Sequence, residues 1–136
     1  MIFVDSNIPM YLVGADHPNK ELARRLLERA IVDNEPLATD AEVFQEILHR
    51  YTAIKRRDAI GPAFDALLGV VDVVHPVELD DVARALRLVA GSDHMTARDA
   101  IHIAIMQRRE IDRILTFDDD FNAIAGIERV RPHGGA

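Results

Sequence analysis

The sequence predicts an α/β fold with a central parallel sheet, and three observations point to it. Short apolar runs alternate with longer amphipathic stretches along the chain, the pattern of strands joined by crossover helices. The first run, Ile2-Phe3-Val4, is apolar throughout and opens directly onto the polar turn Asp5-Ser6-Asn7, as a buried strand does. With 136 residues, 49% hydrophobic and 29% charged, the chain suits one domain spanning residues 1–136 around one core.

Taken in order, Ile2-Phe3-Val4 is a strand followed by a short helix with Pro9 near its first turn. Asn19 to Asn34 carries Leu22, Ala23, Leu26, Leu27 and Ala30 at helical spacing, with Arg and Glu opposite. Pro36-Leu37-Ala38 reads as a second strand. Thr39 then starts a helix running to about Lys55, with Val43, Phe44, Ile47 and Leu48 on its apolar side. Residues 57 to 70 read as a helix that Gly61-Pro62 kinks or restarts. Val70 to Val77 is a β-branched run interrupted by Asp72 and His75-Pro76, which suits an edge or third strand. Glu78 to Ala90 and Thr96 to Arg109 are helices. Arg113 to Phe117 is a strand leading into Asp118-Asp119-Asp120, Ile127 to Arg131 a last strand, and His133 to Ala136 a frayed tail. No internal repeat or domain boundary is visible.

Several chemistries are excluded. There is no cysteine, which removes disulfides, thiolate catalysis and Cys-ligated metals. Residues 1–4 form too short an apolar stretch for a signal peptide or a membrane span, so a reducing cytoplasm is expected. No GxxxxGK motif and no HExxH motif occurs. A haloacid-dehalogenase-type phosphatase needs Asp-x-Asp after the first strand, where this chain has Asp5-Ser6-Asn7. A receiver domain needs a late lysine, and the last lysine is Lys55. The net charge of −7 is unlike that of an ordinary nucleic-acid binder, unless bound cations offset clustered acids.

The acids carry the remaining signal. Each has a structural explanation: Asp5 or Asn7 as a cap of the first helix, Thr39-x-x-Glu42 as a capping box, Thr96-x-x-Asp99 as a similar first-turn pair, Asp118 to Asp120 as a solvated turn. Their placement as a set points elsewhere. Asp5 and Asp118 each follow a strand, and ligand sites of parallel α/β sheets lie outside the carboxyl ends of strands. Glu46 lies two turns into its helix, where no cap explains it. Asp99 opens a strongly apolar helix, at the same rim. Carboxylates converging to about 5 Å repel by roughly 3 kcal/mol per pair at an effective dielectric near 20, so such a cluster calls for protons or cations. All-oxygen ligands select magnesium or manganese over zinc or copper, and magnesium suits phosphoryl chemistry.

At these residues the chain resembles a known family. Phe3-Val4-Asp5-Ser6-Asn7, Val43 to Tyr51 around Glu46, Ala97-Arg98-Asp99-Ala100-Ile101-His102, and Ile114 to Phe121 around Asp118 resemble the four motifs of PIN domains, in order and spacing. The length is similar to that of single-domain VapC toxins, and Asp16 to Lys20 resembles one subgroup of them. The resemblance implies a PIN-like parallel sheet with helices on both sides, and magnesium-dependent endoribonuclease activity on structured RNA such as tRNA or rRNA, with manganese a possible substitute. It also implies a homodimer and inhibition by a cognate VapB-type antitoxin. By it, Asp5, Glu46, Asp99 and Asp118 are the metal-binding, catalytic quartet. Ser6 or Asn7 and Thr116 match polar positions that orient metal-bound water or the metal-binding acids, and Asp120 is a candidate outer ligand. A PIN-fold RNA- or protein-binding module without catalysis is the rival reading.

Other residues are read both ways. His102 is expected to be a satisfied, partly buried histidine rather than a ligand. Lys55-Arg56-Arg57 is either a solvated helix end or a contact for RNA phosphates. Arg50, one turn after Glu46, either pairs with it or reaches a phosphate, and Arg98 beside Asp99 poses the same choice. Tyr11 and Tyr51 are candidates for base stacking or for the core.

Overall fold

The computed structural model describes residues 1–130. Its centre is a five-stranded sheet in the order β3-β2-β1-β4-β5, with every pairing parallel. The strands are β1 (Ile2–Val4), β2 (Leu37–Asp40), β3 (Val73–His75), β4 (Arg113–Leu115) and β5 (Glu128–Arg129). Six helices join them among the described residues: α1 (Asn7–Val13), α2 (Pro18–Val32), α3 (Ala41–Ala53), α4 (Ile60–Leu68), α5 (Leu79–Ala90) and α6 (Ala97–Arg108). The predicted class is correct.

The strand order explains the layers. The chain steps from β1 out to β2 and β3, then returns to lay β4 on the far side of β1. Right-handed crossovers put helices of opposite travel on opposite faces. α1 accordingly packs against α2 and α4, while α5 packs against α6. With both faces covered, β1 and β2 are buried at every position, as the apolar run at 2–4 requires. The core gathers Phe3, Ile8, Leu37, Ile47, Ile103, Met106 and Leu115. The direction reverses between β1 and β4, so a crevice opens past their carboxyl ends.

Several boundaries differ from expectation, each for a local reason. The helix expected from Thr39 begins at Ala41, because Thr39 remains in β2 and donates its hydroxyl to the Val4 carbonyl at 2.9 Å. Asp40 is the cap instead, accepting from the Val43 amide at 2.9 Å, so the Thr39-x-x-Glu42 capping box does not form. Neither Asp5 nor Asn7 caps α1, whose N-cap position is Ser6. The stretch from 57 divides into a 3-10 turn, Arg57–Ala59, and α4. Pro62 falls in the first turn of α4, where its missing N–H costs nothing. The third strand is an edge strand, as the broken β-branched run suggests. The strand expected from Arg113 to Phe117 ends at Leu115, because Thr116 turns its hydroxyl to the site. Among the described residues the last strand covers Glu128–Arg129, and its expected end at Arg131, like the tail His133 to Ala136, lies outside them.

Candidate active site

Asp5 leaves β1 at the point of reversal and is buried, so its carboxylate must be satisfied from within. The Ser6 amide donates to Oδ1 at 2.7 Å, and the Thr116 hydroxyl donates to Oδ2 at 2.7 Å. Thr116, just past β4, also accepts from Asn7 Nδ2 and from the Asp118 amide, both at 3.0 Å. Asn7 Oδ1 in turn accepts from the Phe117 amide at 3.2 Å. The two loops that follow β1 and β4 are thereby laced together, with Asp5 and Asp118 on the same lacing. Burial, ahead of the nearby Glu46 charge, pushes the Asp5 carboxyl above the usual aspartate range, against the pull of His102 and Thr116.

Asp99 enters from the first turn of α6, where Thr96 caps the helix by accepting the Asp99 amide at 3.1 Å, as its sequence pattern predicts. Its carboxyl is pushed up to about 6 by burial and then by the charges of Asp5 and Asp118. Asp118 accepts the Asp120 amide at 2.9 Å at the start of a 3-10 turn, Asp119–Ala123.

Glu46 comes from α3. Its Oε2 accepts from the Ser6 hydroxyl at 3.0 Å and its Oε1 meets His102 Nε2 at 2.5 Å. Burial works to raise this carboxyl, but the His102 bond and charge and the Ser6 bond hold it below the ordinary glutamate range. Arg50 therefore does not take the role of Glu46's partner that the helical spacing allowed. Arg98 lies 3.7 Å from Glu42 instead.

The acids predicted from sequence thus meet at one crevice in two groups. Ligand-capable atoms of Asp5, Glu46 and His102 lie within 4.8 Å of one another, as do those of Asp99, Asp118 and Asp120. The Asp5 and Asp118 charges that raise Asp99 tie the groups together. The donor set fits a hard divalent cation: it is mostly carboxylate oxygen, and its members repel in a way that a cation relieves. A cleft of about 340 Å³ opens beside the second group, walled by Met95, Phe121 and Ile124 with Ser92, Asp99 and Asp120 at its rim.

One residue of this region escaped the sequence reading, and a second, His102, was read correctly as satisfied but not as fully buried. His102 is fully buried, not partly, and its Nδ1 meets Asp40 Oδ2 at 2.7 Å. Burial disfavours its cation, yet the bonds to Asp40 and Glu46 hold its pKa well above the usual histidine value. Asp40 was not singled out at all, although it is the last residue of β2, at the same end of the sheet where Asp5 follows β1. Tyr51 is a core residue whose hydroxyl donates to the Met10 carbonyl at 3.3 Å, which removes it as a base-stacking candidate. Within the basic cluster, Arg56 pairs with Asp58 at 3.1 Å, while Lys55 and Arg57 are exposed.

The PIN domain family model matches residues 2–127, and the chain belongs to that family. Within it the chain is similar to the VapC ribonucleases. It is 57% identical to Ribonuclease VapC13 of Mycobacterium tuberculosis over 130 residues, covering 96% of this chain and 99% of that one. Among solved structures it is similar to Mycobacterium tuberculosis VapC20, described as a sarcin-ricin loop cleaving toxin. That match has a TM-score of 0.80 and 27% identity, and covers 97% of this chain and 100% of the other. A toxin–antitoxin complex from Klebsiella pneumoniae shares the fold, with a TM-score of 0.69 at 19% identity over 98% of each chain.

Proposed function

We propose that this chain, as one PIN domain over residues 1–136, is a cytoplasmic magnesium-dependent endoribonuclease acting as the toxin of a VapBC-type pair. Its substrate is a structured RNA, tRNA or rRNA. Asp5, Glu46, Asp99 and Asp118 hold the ion, for which manganese can substitute. The observation that carries the reading is the meeting of these acids, from four different elements, in the crevice where the sheet reverses direction. When bound, magnesium supplies the Lewis acidity that activates water and stabilises charge on the phosphate being cut.

The protein's own part is positioning. Thr116 aims Asp5 and ties Asp118 to it, and Ser6 holds one oxygen of Glu46. The cleft beside Asp99 and Asp120 takes the strand next to the cut, and the exposed Lys55 and Arg57 offer positive charge to backbone phosphates. Partners follow from the same reading. The relatives named VapC and the Klebsiella pneumoniae toxin–antitoxin complex support a VapB-type antitoxin. A guanidinium from it suits a carboxylate cluster, which it can bind bidentately. A homodimer is supported by an exposed apolar stripe on α5, formed by Leu79, Val82, Leu86 and Val89.

The test is cleavage of total bacterial RNA by the purified chain. Cleavage is expected with magnesium, and is expected to vanish with a chelator or in Asp5→Asn. Cutting that survives both treatments would assign the activity elsewhere. Magnesium binding without any cutting would favour the silent binding module.

A further inference from the structure

We infer that His102 is a positioning residue that braces Glu46 in the site, and that Asp40 anchors the brace. The inference rests on the reading of Glu46 as a site acid and concerns what holds that acid in place. His102 lies one turn after Asp99 on α6 and is completely buried. Its ring packs on Phe3 of β1, with centroids 5.4 Å apart. Both ring nitrogens are spent: Nδ1 on Asp40 at 2.7 Å and Nε2 on Glu46 at 2.5 Å. Each ring nitrogen is directed at a carboxylate oxygen, so a cation could take one only by displacing Asp40 or Glu46 from it. That separates His102 from the ligands it adjoins.

The anchoring is mutual. Asp40 is itself fixed, because its other oxygen caps α3 through the Val43 amide. The ring therefore spans from the first residue before α3 to a side chain two turns along it, and ties both to the helix that carries Asp99. Glu46 has three rotatable bonds, and nothing in α3 itself points its carboxylate into the crevice. With His102 on Oε1 and Ser6 on Oε2, each oxygen keeps one lone pair free and the carboxylate is aimed. Side chains that orient a ligand in this way typically shift metal affinity or activity by about 10–100-fold when removed.

The experiment compares the full chain with His102→Ala, His102→Gln and Glu46→Gln. Manganese affinity is read by calorimetry on RNA-free protein, and kcat and KM are read separately on an RNA that the wild type cuts. The expected result for His102→Ala is a loss of about tenfold or more in manganese affinity and in kcat, with KM for RNA changed by less than about threefold. His102→Gln, which keeps one donor for Glu46, should fall between. Adding His102→Ala to Glu46→Gln should cost nothing further in manganese affinity, because the histidine acts through that acid. If His102→Ala does not fold, His102→Gln alone and combined with Glu46→Gln decides by the same readings. Wild-type manganese affinity and kcat in the folded histidine variants, or full additivity with Glu46→Gln, would overturn the brace. A wild type that neither binds manganese nor cuts RNA would instead overturn the nuclease reading beneath it.

Discussion

Thr116 donates its single hydroxyl proton to Asp5 Oδ2 at 2.7 Å, and it has no choice about where that proton goes. A hydroxyl has one donor and two acceptor sites. Asn7 Nδ2 and the Asp118 amide fill both acceptor sites at 3.0 Å. The direction of the bond to Asp5 is therefore set by its neighbours, and one side chain ties the loop after β1 to the loop after β4.

Thr116→Val keeps the shape and removes all three bonds. It should destabilise the protein by about 1–3 kcal/mol, since buried groups lose their partners. RNA cleavage should fall as well, while Thr116→Ser should retain both properties. Chemical denaturation and a cleavage assay check this. A Val variant as stable and active as the Ser variant would show that the lacing is dispensable.

Glu42 and Asp40 should exchange the roles their spacing suggests. Asp40 accepts the Val43 amide and Glu42 does not cap. Asp40→Ala should cost about 1 kcal/mol or more through the lost cap alone, and leaves His102 without its Nδ1 partner besides. Glu42→Ala should stay within about 0.5 kcal/mol of wild type, since its 3.7 Å pairing with Arg98 is partly solvated. Urea midpoints of the two variants decide the order.

The same exchange shows where the sequence was legible. Alternating apolar runs identified every strand and helix of the sheet's two layers, because burial imposes those periods locally. The acids Asp5, Glu46, Asp99 and Asp118 were legible because each sits at a strand end, at a helix mouth, or where no cap explains it. Asp40 was not, and His102 only as a satisfied histidine without its partners, because their roles exist only across tertiary distances. A buried aspartate at the end of β2 becomes meaningful when α6, more than fifty residues later, brings a ring to it. The slip at Thr39 has the same origin: its hydroxyl extends β2 through a bond to β1 that no local rule contains.

Asp99 should make the metal-free protein's stability depend on pH in a definite direction. Its carboxyl titrates at about 6 in the fold, against an ordinary value of 3.8. A raised acid favours folding fully below 3.8, and that contribution is lost as pH rises through about 6. Asp99→Asn mimics the neutral form, so its melting temperature relative to wild type should climb between pH 4 and pH 7 when a chelator is present. Magnesium or manganese competes with that proton. The rise in melting temperature that either ion causes should therefore be larger at pH 7.5 than at pH 5, and smaller in Asp99→Asn. A metal-induced rise independent of both pH and the substitution would place the ion elsewhere.

Expression of this chain alone should arrest bacterial growth, and co-expression of a VapB-type partner from the adjacent reading frame should restore it. Asp5→Ala, Glu46→Ala, Asp99→Ala and Asp118→Ala should each be harmless without the partner, provided that circular dichroism shows them folded. Arrest by folded Asp99→Ala as severe as by wild type would remove catalysis as the cause.

The apolar stripe on α5 should be the surface through which two copies pair. Leu79 is 82% exposed and Leu86 70%, with Val82 at 44% and Val89 at 37%. Their spacing of three, four and three residues lines them along one face, while Asp81 and Ala85 turn inward beneath them. The stripe is self-complementary about its midpoint. In an antiparallel, two-fold pairing, Leu79 would face Val89 of the second copy and Val82 would face Leu86. Burying four such side chains twice over is worth several kcal/mol before the cost of association, at about 25 cal/mol per Å² of apolar area. Leu86→Glu would place two like charges against that face. It should convert the protein to a monomer in sedimentation velocity and leave manganese binding unchanged, because Leu86 is exposed on α5, a helix that carries none of the candidate ligands. A Leu86→Glu protein that still sediments as a dimer would move the interface to another surface.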